Sequence, residues 1–97
     1  MIQEVIISGN TEIPIKPLIE SAVRSELRML ELAVQRTGER LCAFEKKYDI
    51  ATDEFRIRFE NGEITESLDF IEWLGEIRTA EILKAQKHAL EGVNFAD

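Results

Sequence analysis

Between residues 23 and 48 the apolar positions recur in steps of four and three. Val23, Leu27, Leu30, Val34, Thr37, Leu41, Phe44 and Tyr48 therefore share one helical stripe. Eight such positions predict a long helix whose inward face needs a partner. Pro17 suits a first helical turn, where its missing N–H costs nothing, so the helix is predicted over 17–48, a length of about 48 Å. Thr37-Gly38 is its weak point, since glycine inside a helix costs about 1 kcal/mol relative to alanine and the threonine puts a hydroxyl into the stripe. Any kink is expected there.

Ahead of this helix, Val5-Ile6-Ile7 and Ile13-Pro14-Ile15 flank Ser8-Gly9-Asn10-Thr11, so residues 1–16 are predicted as a strand or hairpin arm around Gly-Asn. Pro14 has no N–H to donate, which confines the second run to a sheet edge or a lead-in to the helix. A lone hairpin is marginal in water, so the first run is expected to pair with another chain or lie on the helices. Beyond Tyr48, Thr52 is the candidate N-cap of a short helix over 52–61, with Asp53 and Glu54 in its first turn, Phe55 and Phe59 on its buried face, and Asn61-Gly62 at its end. Ser67 then caps a last helix over 68–91 that stops at Gly92. Its expected apolar stripe is Phe70, Ile71, Leu74, Ile77, Ile82, Ala85 and Ala89, interrupted by Arg78 and Glu81, which are expected to pair with each other. Trp73 falls beside that stripe, against the short helix or a partner.

These elements predict a mainly α single domain in which the last helix folds back on the first as an αα-hairpin, with the N-terminal strand or hairpin arm attached. The last helix, about 36 Å long, is shorter than the first. Part of the stripe is left over, and dimerisation is expected to cover it, with Val23, Leu27, Leu30, Val34, Leu41 and Phe44 as the oligomer seam. In a parallel pair Arg40 and Glu45 would meet across that seam.

Composition narrows the function classes. A chain of 97 residues buries only about 60–65% of its unfolded surface, so partners are expected. It is 44% hydrophobic and 32% charged, with no apolar run near the ~18 residues that span a bilayer. Residues 1–12 carry no basic residue and no run of signal-peptide length, and the expected address is the cytoplasm. The net charge of −7 is uneven: residues 45–81 hold eleven acidic and five basic groups, residues 15–44 four acidic and five basic. That balance disfavours nucleic acid and anionic membrane, which need cationic surface, and favours a basic partner protein. A ribbon-helix-helix role for the N-terminal strand is disfavoured too, because it offers Gln3, Glu4 and Glu12 to the phosphate backbone.

Little points to chemistry. Cys42 and His88 are the sole cysteine and histidine, which excludes an intrachain disulfide and a structural Cys/His zinc site, and neither has a third group to complete a nucleophilic triad. The series Glu60, Glu63, Glu66, Asp69, Glu72 resembles the helical carboxylates of all-α nucleotide pyrophosphohydrolases, and a metal-dependent hydrolase using 60–72 is the alternative function. Gly62 breaks that spacing, and acids in a turn or first helical turn are accounted for by the helix dipole. The expectation is therefore a non-enzymatic protein with no metal or cofactor.

The run Glu45-Lys46-Lys47-Tyr48-Asp49-Ile50-Ala51-Thr52-Asp53-Glu54-Phe55, continuing through Phe59-Glu60-Asn61-Gly62-Glu63 to Ser67-Leu68-Asp69-Phe70-Ile71-Glu72-Trp73, resembles a family of small archaeal and bacterial helical proteins. Some relatives look like the antitoxin-type member of a two-protein unit, so the resemblance, covering residues 41–77, implies protein binding without chemistry. The family's usual glycine after Lys-Tyr is Asp49 here. Charge and resemblance fall on the same segment, which makes Asp53, Glu54, Glu63, Glu66, Asp69 and Glu72, with Trp73, the candidate partner-binding surface.

Overall fold

A computed structural model of the chain describes residues 3–5 and 13–95. Three helices make up nearly all of it: α1 (Ile15–Tyr48), α2 (Thr52–Glu60) and α3 (Leu68–Glu91). α1 and α3 pack along each other as the two arms of a hairpin, and α2 fills its closed end. At 1.5 Å per residue the arms measure about 51 and 36 Å, and the molecule is a rod of 60 × 21 × 17 Å. No described helix is long and apolar enough to cross a membrane.

Helix boundaries follow local chemistry. α1 starts two residues ahead of the predicted position, with Pro14 as its N-cap residue and Pro17 still inside the first turn. It runs unbroken through Thr37-Gly38, with the threonine buried at 2% exposure. It ends where Asp49 turns left-handed (φ 52°, ψ 48°) and sends its N–H back to the Glu45 carbonyl. Glycine is the residue least strained in that conformation. α2 departs from the sequence reading at its start. Its N-cap residue is Ala51, while the expected cap, Thr52, is the first helical residue, whose N–H donates to Glu45 Oε2 at 2.7 Å. A carboxylate seven residues upstream supplies the acceptor that an N-cap side chain would otherwise give. Gly62, at φ 73°, closes the C-terminal end, and Ser67 caps α3 by accepting the Phe70 N–H at 3.2 Å.

The eight-position stripe of α1 faces inward: Leu30 and Thr37 are buried and the other six half-buried. On α3 the expected stripe is corrected. Trp73, Ile77 and Ala80 are buried and Phe70, Leu83 and Leu90 half-buried, whereas Ile71 and Ile82 stand 48% and 58% exposed and Ala85 and Ala89 lie outside. The cause is Trp73, fully buried, whose ring lies between those of Phe55 (centroids 3.9 Å apart, 3° between planes) and Phe44 (5.4 Å, 11°). Seating so large a ring at the centre of the closed end fixes the rotation of α3. Six of the seven aromatic residues, Phe44, Tyr48, Phe55, Phe59, Phe70 and Trp73, gather there, so the closed end holds the apolar core cluster of the described residues.

At the open end α1 overshoots α3 by about ten residues, or ~15 Å. There Gln3–Val5 pairs in parallel with Val93–Phe95, Gln3 opposite Val93 and Val5 opposite Phe95. The predicted hairpin turn over 8–11 lies outside the described residues, and Ile15 of its expected second strand opens α1.

Candidate functional site

The acidic segment forms the closed end of the rod, wrapped around the aromatic core. Asp53 and Glu54 lie in the first turn of α2, where negative charge suits the dipole, Glu63 and Glu66 in the connector, and Asp69 and Glu72 in the first turns of α3. Asp53, Glu63, Glu66 and Glu72 project into solvent, while Glu54 is spanned by Arg58 one turn on. Asp69 is drawn furthest in. Its carboxylate accepts from Lys47 Nζ at 2.7 Å and from the Tyr48 hydroxyl, tying α1 to α3. The lysine hydrogen bond, then the tyrosine one, hold Asp69 below its ordinary carboxylate value. Accepting that bond also holds Lys47 and Tyr48 above theirs.

Two sequence assignments change. Trp73 has no exposed surface to offer a partner, and its indole Nε1 donates inward to Thr52 Oγ1 at 3.2 Å. A ring sandwiched between two phenylalanines with its one polar atom satisfied is a core residue. Of the proposed oligomer seam, Leu30 is buried and Val23, Leu27, Val34, Leu41 and Phe44 are half-buried within the single chain. Arg40 reaches Glu76 of α3 at 3.4 Å, and Glu45 accepts from the Thr52 N–H within the chain. Arg78 and Glu81 do not pair, since Glu81 is bridged to α2 by Arg56.

The carboxylates of 60–72 do not converge. Glu60 pairs with Arg56 at 3.2 Å, Asp69 is committed to Lys47 and Tyr48, and the others are spread over a turn, a connector and a helix start. Among the described residues no group of three or more His, Cys, Asp or Glu side chains is placed to hold a metal ion. Cys42 and His88 both lie exposed on separate helices.

A second surface escaped the sequence reading. α2 lies against one side of the hairpin, beside Leu74, Ile77 and Arg78. Another side carries an open groove of about 630 Å³, walled by Arg40, Ala43 and Lys47 of α1 and by Glu72, Gly75, Glu76 and Thr79 of α3. Glu76 Oε1 takes the Arg40 contact, while its Oε2 is buried with no hydrogen-bond partner among the described residues. Small residues at Ala43 and Gly75 create the hollow, and small residues carry no apolar signal in a sequence. Compared with family models, curated proteins and solved structures, the chain matches none.

Proposed function

We propose that this protein is a non-enzymatic, cytoplasmic interaction module that works as a homodimer and docks a basic partner protein on its acidic closed end, in the manner of the antitoxin-like proteins that residues 45–73 resemble. The observation that carries the reading is the division of labour at that end. Its aromatic side chains pack together in the apolar core cluster, while Asp53, Glu63, Glu66 and Glu72 are left exposed around it. A rigid core beneath unpaired like charges suits recognition of a cationic surface, where complementary charge speeds encounter and selects the partner. Trp73 contributes by holding that end rigid, not by touching the partner.

The test is co-expression with the protein encoded by the neighbouring reading frame, followed by co-purification of the pair. A complex that survives low salt and is lost in the Glu63→Lys, Glu66→Lys double variant supports the reading; retention by that variant at every salt concentration removes it. Isothermal titration with Mg²⁺ and with a nucleoside triphosphate is expected to give no saturable heat. Saturable binding of either would restore the hydrolase reading.

A further inference from the structure

We propose that the groove beside Gly75 is the seat of a second copy of this chain, the two hairpins packing face to face and antiparallel with their closed ends apart. The inference rests on the homodimer in the proposed function and assigns its surface; partner docking at the closed end does not depend on it.

Seven-residue spacing shows that the groove continues as a stripe. Ala43 shares its helix face with Arg36 and Met29, one and two heptads back, and Gly75 shares its face with Ile82, one heptad on. Both distant members are large and bare: Met29 is 64% exposed and Ile82 58%. The face thus has a hollow floored by small residues toward the closed end and two apolar knobs toward the open end. A two-fold axis perpendicular to the rod at the level of Arg36, midway between Met29 and Ala43, carries Met29 of each copy to the hollow of the other, while Ile82, which the Arg40–Glu76 and Lys47–Asp69 contacts place close to that level, meets its own counterpart. One surface supplies both shapes, which is what an isologous contact requires.

Charge selects the same orientation. A parallel pair would set two copies of the 45–81 segment, eleven acidic against five basic residues, side by side. The antiparallel pair lays each acidic end over the other copy's 15–44 segment, where five basic residues outnumber four acidic ones. Area is sufficient as well. The stretch where both arms overlap is about 36 Å long, and at the rod's 21 Å width it covers roughly 750 Å² per copy, or about 1,500 Å² in all, inside the range of stable specific interfaces.

Gly75 gives a test that spares the monomer, because a Cβ built there meets nothing within 4 Å. Sedimentation equilibrium at micromolar concentration should give twice the chain mass for the wild type and the chain mass for Gly75→Met, with helicity by circular dichroism unchanged. Gly38 has equally open space but lies off the groove, and Gly38→Met should remain dimeric. In a Cys42→Ser background, a mixture of Met29→Cys and Ala43→Cys proteins should cross-link as the mixed pair. A wild-type monomer at 100 µM, a dimer indifferent to Gly75→Met, or cross-linking confined to Ala43→Cys with itself would each overturn the proposal.

Discussion

Among the described residues Asp49 is the one non-glycine with a left-handed backbone, and its neighbourhood shows how single side chains set the closed end. L-residues resist that conformation, aspartate less than most, so Asp49→Gly is expected to raise stability by up to about 1 kcal/mol and Asp49→Val to lower it, as read from urea midpoints. Nearby, Asp69 links acid sensitivity to the hairpin. Its folded carboxylate titrates below the ordinary value of 3.8, so the stabilisation it brings is complete above that value and is lost as pH falls through the lower folded one. Tyr48→Phe removes one of the two donors, and the Asp69 carboxyl is then expected to titrate closer to its ordinary value by NMR. An unchanged titration would mean that Lys47 alone holds it. Tyr48 and Lys47 work in the opposite sense: raised above ordinary, their contribution is present below those values and fades at alkaline pH.

At the scale of elements, what the sequence disclosed depended on whether the signal was local. Ser67, Gly62 and Gly92 announce helix ends because caps and left-handed turns depend on a few adjacent residues, and α3 accordingly spans Leu68–Glu91 as read. The inward face of α1 was legible because eight positions agree. The rotation of α3 was not: Ile71, Leu74, Ile77 and Ile82 are equally apolar, and contact with Phe55 and Phe44, distant in sequence, decides that Trp73 points inward. The groove was invisible for the converse reason, being built from the absence of side chains at Ala43 and Gly75. Mutation should separate the faces of α1. Leu30, 6% exposed in the hairpin, is expected to cost about 2–5 kcal/mol as Leu30→Ala, Leu41→Ala less because that side chain is half-buried, and Glu31→Ala, on the solvent side, almost nothing. Equal small losses in urea melts would mean that the stripe is solvated.

The whole molecule is long for its mass. Its radius of gyration is 19.0 Å, whereas a compact chain of this length would measure about 12–13 Å. A single hairpin cannot be made rounder without abandoning the contact between its arms, so shape can be changed only by what packs against it. That makes solution scattering diagnostic of the assembly. Two rods laid face to face at a helix-layer spacing of about 10 Å shift each mass centre only ~5 Å from the common axis, so the antiparallel dimer is expected at about 20 Å. Rods joined end to end at their exposed tips would exceed about 30 Å, because each centre then moves by half the 60 Å length. The acidic ends make the end-to-end arrangement costly at low salt, and raising the ionic strength relieves that repulsion. A radius near 20 Å that is independent of salt, together with doubled forward scattering, is therefore the signature of side-by-side packing. A radius that climbs past 30 Å as salt is added would instead assign the contact to the tips and leave the groove unfilled.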